Sequence, residues 1–324
     1  MCGLLFLMRL FASALAIAVA LPALAQVKFT KHEGKIDVEL DGKPFTAFYF
    51  GSGTQKPFLH PIRAASGTVV SRVWPMEEKA GEAKDHIHHQ GLWFTHGDVN
   101  GFDFWASHPT QRGSARGGDK KGDVKLTKLG AVKGGKKYGS ITASFAWNDP
   151  AGNTLLTEDR TMRFSGDSKV RVIDMDIKLT GVVKSEFRDT KEGVFALRLA
   201  AQLDGKHSGK MTSAEGKVGE KQVWGKRSPW VDYAGTIDGE ALGVAILDHP
   251  SNPKHPTYWH SRDYGLFAAN IFGERDFYAD KAKNGGMTLD PGQTWRFRYR
   301  VVVHPGDTAS ADVAGMFKAF SAKP

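Results

Sequence analysis

Val170-Arg171-Val172-Ile173-Asp174-Met175-Asp176-Ile177-Lys178-Leu179 decides the fold class. Its odd positions (Arg171, Ile173, Met175, Ile177, Leu179) are mostly apolar, while Asp174, Asp176 and Lys178 are polar. An alternation of period two is the mark of an antiparallel strand with one face on a core and the other in water. Phe195 to Leu203 repeats it, with Phe195, Leu197, Leu199, Ala201 and Leu203 on one side and Arg198 and Gln202 on the other. If the pairing continues backwards, Glu192 shares the Arg198 face. Thr294 to His304 alternates likewise, and Ile36 to Phe50 reads as a hairpin turned at Asp41-Gly42, the pair that suits a type I′ turn. Strands of this kind, with turn signals between them, predict stacked antiparallel sheets. One helix is expected, at the C-terminal end: Asp307 or Thr308 as cap, then an apolar stripe of Ala309, Val313, Met316, Phe317 and Phe320, packed on a sheet edge or end.

Residues 1–25 read as a cleavable signal peptide, with Arg9 before an apolar run and Ala23-Leu24-Ala25 as the cleavage pattern. The remaining 26–324 are expected to form a single β-sandwich domain in the periplasm or outside the cell. Cys2, the only cysteine, falls within the leader, so the mature chain has no thiol nucleophile. No later run is long and apolar enough to span a membrane. The chain has 44 Lys and Arg, one of them Arg9, against 35 Asp and Glu, and much of the excess is local. Residues 112–137 hold nine basic residues against two acidic ones, with seven glycines and no aromatic between them. Nucleic acid is not an expected partner, because base stacking groups are missing from that segment.

Chemistry concentrates between Asp85 and Trp105. Five of the twelve histidines (His86, His88, His89, His96, His108) lie between 86 and 108. Imidazole moves protons near neutral pH, ligates metals and donates hydrogen bonds. Burying so much polarity is costly unless it is satisfied or used. Two constellations join it: Glu192 with Arg198, and the proline-stiffened loop from Asp248 to Arg262. Indole, imidazole, guanidinium and carboxylate together suit a sugar, which offers an apolar ring face and a fan of hydroxyls. On this reading His88, His89, Glu192 and His260 are the acid–base groups. His60, Arg63, Trp93, Asp98, Asn100, Arg198, Trp224, Trp230, His249, Asn252, Trp259 and Arg262 line the binding site. The ligand is a small molecule or oligosaccharide, and no cofactor is required. A divalent metal on His86, His88 and Asp85 is the alternative enzyme reading, and a non-catalytic glycan-binding module is the third. No serine nucleophile elbow, phosphate loop or dinucleotide fingerprint is present.

His60-Pro61-x-Arg63, Asp85-His86-x-His88-His89-x-Gly91-Leu92-Trp93-Phe94, Asp98-Val99-Asn100-Gly101-x-Asp103-Phe104-Trp105, Lys191-Glu192-Gly193, Asp248-His249-Pro250-x-Asn252 and Pro256-x-Tyr258-Trp259-His260-x-Arg262 together resemble the bacterial PmoA-like family of unassigned function. Gln90 stands where that family usually has a basic residue. The resemblance spans nearly the whole mature chain and implies a β-sandwich, reminiscent of the galactose-mutarotase supersandwich, in a setting of sugar catabolism. It does not imply methane chemistry, since a membrane monooxygenase subunit is built from transmembrane helices. Expression of the full chain in a Gram-negative host is expected to give a periplasmic product whose N-terminal residue, read by mass spectrometry, is Gln26; a product retaining residues 1–25 overturns the leader.

Overall fold

Two eight-stranded antiparallel sheets carry almost all of the regular structure in the computed structural model, which describes residues 26–106 and 120–322. The leader, His108 and the basic residues at 112 and 116 lie outside the described residues. The first sheet runs, in spatial order, β1 (Val27–His32), β2 (Lys35–Leu40), β3 (Lys43–Tyr49), β4 (Phe58–Leu59), β5 (Leu92–His96), β11 (Gly193–Arg198), β16 (Leu266–Asn270) and β15 (Tyr258–Ser261). The second runs β12 (Lys210–Ser213), β13 (Trp230–Ile237), β14 (Glu240–Asp248), β18 (Thr294–Pro305), β9 (Arg171–Gly181), β8 (Thr154–Gly166), β7 (Gly139–Asn148) and β6 (Asp123–Lys133). A short ribbon pairs β10 (Ser185–Phe187) with β17 (Met287–Leu289). The expected all-β sandwich with a C-terminal helix is what the chain adopts.

Alternation builds the core. Ile173, Met175, Ile177 and Leu179 of β9 and Phe297, Tyr299, Val301 and Val303 of β18 are buried, and they meet Leu92, Phe94, Phe195 and Leu197 of the first sheet in one continuous apolar cluster. The Phe195 and Tyr299 rings stack across the two layers at 4.5 Å. Lys43 pairs with Leu40, so the β2–β3 turn is the two-residue Asp41-Gly42, both at positive φ as the sequence predicts.

The C-terminal helix departs from expectation in two ways. Asp307 makes its own turn with Ser310, and the C-terminal helix, here α3 after the one-turn helices α1 (Glu220–Val223) and α2 (Glu274–Phe277), spans Val313–Ser321 and is instead capped by Asp312, whose carboxylate accepts from the Gly315 N–H. The helix covers the outer face of the second sheet rather than an edge, packing Val313 and Phe320 on Trp230, Ala245, Leu247 and Val302. Beside that contact His304 is buried between Asp232 Oδ1 (3.1 Å from Nε2) and the Pro305 carbonyl (3.1 Å from Nδ1), while Thr308 donates to Asp232 Oδ2. With acceptors on both nitrogens the imidazole takes its protonated form. Burial alone would lower its pKa, but the Asp232 carboxylate and the Pro305 carbonyl raise it above the ordinary 6.5.

Because the folded value is raised, this pair stabilises fully below the unfolded value of 6.5 and fades as pH rises through the folded one. Urea unfolding is expected to show stability declining above neutrality through this pair, and Asp232→Asn to remove about 3–5 kcal/mol at pH 6, because a buried imidazolium loses its partner. An unchanged pH dependence in Asp232→Asn overturns the assignment.

Candidate functional site

The outer face of the first sheet is closed over rather than solvated. One row of paired residues crosses six strands: Tyr49, Phe58, Trp93, Ala196, Ala268 and His260. Rings stand at both ends of this row and small residues in the middle. The segment between β4 and β5 folds across it.

Two buried guanidiniums hold that segment in place. Residues 70–72 pair with 198–200 through backbone hydrogen bonds, which sets Arg72 beside Arg198. Arg72 donates to the carbonyls of Ala83, Asp85, His86 and His89 and to Asp85 Oδ1 at 2.7 Å. Arg198 donates to the same oxygen at 2.9 Å and to His89 Nδ1 at 3.1 Å. The other Asp85 oxygen meets His86 Nδ1 at 2.7 Å. Burial works against ionising Asp85, yet the His86 bond and the two guanidiniums hold its carboxyl well below the usual carboxylate range.

His86 adopts a left-handed backbone (φ 44°), and the His89 N–H closes the turn onto its carbonyl. Gly91 follows, also at positive φ, where a Cβ would lie 2.1 Å from the Leu59 carbonyl oxygen. The turn therefore presses directly on the sheet. Four rings stack in a column: Tyr264 on His86 (5.4 Å), His86 on His89 (4.7 Å) and His89 on Trp93 (5.2 Å). Trp105 meets Trp93 edge-on at 5.0 Å, and His88 lies against His86 and His89.

Hydrogen bonding fixes two tautomers. A guanidinium has no acceptor, so His89 Nδ1 accepts from Arg198 and the proton of the neutral ring sits on Nε2. His260 Nδ1 accepts from the indole N–H of Trp224 at 2.9 Å, which puts its proton on Nε2 as well. Burial, then the surrounding positive charges, pushes both rings far below the ordinary histidine value. In the neutral form both rings therefore donate from Nε2. The described residues give no acceptor to His89 Nε2 or to the indole nitrogens of Trp93 and Trp105, so this wall is rich in donors.

Glu192 is the contrasting group. It precedes β11 at the parity of Ala196 and Arg198 and packs against Gly97, where a Cβ would lie 2.7 Å from its own. Its carboxyl has no hydrogen-bond or ion-pair partner among the described residues. Burial raises its pKa, opposed by Lys191, and it feels the charges of Asp103 and His86. Tyr264 feels Glu192 in turn, and burial followed by that charge raises its hydroxyl to about 12. His260 lies 6.3 Å from the Trp224 ring, and Arg262 links Trp224 to Tyr264 and so to His86. Arg262 forms the rim, 5.8 Å over Trp224 and 5.6 Å over Tyr264, with its Nε 2.9 Å from Glu220 Oε1.

The other expected site residues lie elsewhere or do other work. His60 is fully buried near Tyr49; burial and Arg63 push it down to about 4, so the 3.8 Å contact with Glu77 is not an ion pair. Arg63 holds the Gly67 carbonyl of a turn. Asp98 caps the Gly101 N–H, and Asn100 bonds to Lys184 and Glu186, tying down the end of the sandwich. Trp259 points into the core with its indole N–H on the Ser228 carbonyl, because alternation in β15 turns it to the face opposite His260. Trp230, His249 and Asn252 are on the other sheet's side, against α3 and Arg298. Asp85, His86 and His88 do not form a metal-holding group: no such group of three occurs among the described residues, and both Asp85 oxygens are taken.

Sequence reasoning missed three residues. Arg72 is the only charge in the run Val69 to Trp74, a signal of a buried ion. Tyr264 sits in the β15–β16 turn with nothing to mark it locally. Lys56 is fully buried, its ammonium 2.5 Å from the Trp105 carbonyl and 5.4 Å over the Trp93 ring; burial, partly offset by Asp103, lowers its pKa to about 7.

Fold and site thus define an antiparallel β-sandwich with a histidine-, indole- and arginine-rich cluster covering the outer face of one sheet. The chain belongs to DUF6807, a family of unknown function, whose model matches residues 35–318. No curated protein matches it in sequence. Among solved structures it is similar to a galactose mutarotase-like protein from Clostridium acetobutylicum (9% identity, 87% of this chain and 99% of that one, TM-score 0.41). Another is the galactose mutarotase-like protein from Lactobacillus casei (8%, 86% and 100%, 0.39). A third is the alpha-galactosidase from Lactobacillus brevis (10%, 87% and 40%, 0.40), of whose length this chain spans about two fifths. No helix among the described residues is long and apolar enough to cross a membrane.

Nitrogen-15 NMR of the imidazoles is expected to show His89 and His260 as neutral Nε2–H tautomers from about pH 5 to 8, and Trp224→Phe to raise the His260 pKa by freeing Nδ1. Titration of either ring near its ordinary value in the native protein overturns the assignment.

Proposed function

We propose that this cluster lines a recess that is the active site of a carbohydrate-active enzyme moving a proton on its sugar, by isomerisation, epimerisation or elimination. Glu192 is the base. One observation carries the reading: a buried carboxylate with raised pKa and no hydrogen-bond or ion-pair partner among the described residues feels His86, as does the neutral His260 whose donor nitrogen is fixed. A base needs a proton affinity near working pH and an open partner position. Glu192 has both.

His260 donates through Nε2 to the substrate oxygen on which charge develops, a role in which a preset neutral donor needs no reorganisation. Tyr264, Trp224 and Arg262 supply the surface on which a sugar ring rests. The export predicted from residues 1–25 suits a protein that meets sugars outside the cytoplasm, and the motifs that resemble the PmoA-like family include the residues that build this face. Hydrolysis by a carboxylate pair is less favoured. It needs two carboxyl groups about 5–9.5 Å apart across the bond, and Asp85 is spent on its guanidiniums.

Incubating the protein with a panel of mono- and oligosaccharides in deuterium oxide is expected to show solvent deuterium entering one carbon-bound position by NMR. Glu192→Gln should lower that rate at least about 100-fold and shift the unfolding free energy by less than about 2 kcal/mol. Sugar binding by thermal shift with no turnover in the native protein makes the recess a glycan-binding module instead. Loss of folding in Glu192→Gln returns that residue to a structural role.

A further inference from the structure

The opposite face of the molecule carries a second recess. On the outer side of the second sheet, Ser140, Arg163, Asp174 and Arg300 stand opposite one another across β7, β8, β9 and β18. Their neighbours Phe164, Ile173 and Val301 point the other way, into the core. A cavity of about 360 Å³ opens here, bounded by Lys137, Tyr138, Arg163, Asp174, Arg298 and Arg300 among others.

The charges in it do not balance. Asp174 gives both oxygens to Arg300, at 2.6 and 2.8 Å. Asp176 gives both to Arg296, at 2.8 and 2.6 Å. Arg163 and Lys137 are left without a carboxylate partner among the described residues, and the Arg163 guanidinium lies instead 6.0 Å over the Tyr138 ring. That ring is 53% exposed, unusual for so large an aromatic side chain on a strand-edge turn. Lys137 and Tyr138 close the basic, glycine-rich segment that the first recess leaves without a role.

We propose that this cavity is a second saccharide site, one that takes a sugar unit bearing a carboxylate. A guanidinium presents a planar fork that matches a carboxylate, and an exposed ring beside it matches a sugar face. Its size is that of a small ligand rather than a broad surface, which favours one sugar residue over a membrane. Since the two recesses lie on opposite faces, a long acidic glycan held at one can present another segment, or another chain, to the other.

Isothermal titration with a trigalacturonate tests this, using full-length mature protein. The expected result is binding that weakens about ten-fold or more in Arg163→Gln/Lys137→Gln, weakens in Tyr138→Ala, and persists in Glu192→Gln. The last arm separates this site from the first recess: loss of binding in Glu192→Gln alone places the acidic sugar there and overturns the second site. Equal binding of neutral maltotriose overturns the charge requirement. Inorganic phosphate or phosphatidylglycerol vesicles competing as well as trigalacturonate, without sensitivity to Tyr138→Ala, make the cavity a general anion patch and overturn the saccharide assignment. Circular dichroism melts of each variant are expected to match the native protein, as Lys137, Tyr138 and Arg163 are exposed.

Discussion

The carboxylate of Asp85, shared between Arg72 and Arg198, is the constraint on which the first recess depends. Two guanidiniums with 2% exposure are expensive to bury, several kcal/mol each even after relaxation. The cost is offset in part because both terminal nitrogens of Arg72 find loop carbonyls or Asp85 and those of Arg198 find Asp85 and His89, while the Nε of each is left without a partner among the described residues. The geometry is therefore all or nothing. Remove Asp85 and two buried cations face each other, with the carbonyls of the histidine turn no longer fixed in register. The left-handed His86 and the close approach of Gly91 are strained or selective features that such a clamp can enforce.

From that clamp the ring column follows. Arg198 belongs to the sheet and also donates to His89, so it locates the turn relative to Trp93 below and Tyr264 above. Ala196 and Ala268, in the middle of the cross-strand row, leave room for these rings to lie on the sheet. Larger residues there would lift the turn away. The same row ends at His260, which places its ring at the far side of the recess from Trp93.

Alternation was legible wherever one face met the core and the other met water. Ile173 to Leu179 and Phe297 to Val303 gave both strand and facing, and Asp41-Gly42 gave the turn. It failed where both faces are covered. In β11 every residue is buried, and in β15 Trp259 and His260 are both buried, so burial and polarity alone could not say which ring faces the recess. The Asp248 to Arg262 loop shows a different limit. Its prolines announced rigidity, but a stiff loop connects the two layers, and local chemistry does not record on which side each residue emerges. His249 and Asn252 ended against Arg298 of the second sheet, whereas His260 and Arg262 reached the first recess. The Asp312 cap was missed for a related reason: Asp307 and Asp312 both offer cap chemistry, and the choice was settled by Val313 and Phe320 packing onto the second sheet.

The division of labour in the first recess follows from which groups are already committed. A histidine clustered with others invites assignment as acid, base and ligand at once. Here partners remove most of those options. A ring whose Nδ1 accepts from an arginine or an indole cannot take up a second proton without breaking that bond, and burial opposes the resulting charge. His89 and His260 are thereby withdrawn from acid–base cycling, as Asp85 is by its guanidiniums. The function left to such rings is to donate from Nε2 with fixed direction. Beside them stands Glu192, a carboxylate that no donor among the described residues has claimed, and its desolvated position raises its pKa. On the proposed reading, the residue that the protein leaves unpaired, rather than the residues that it clusters, is the one that reacts.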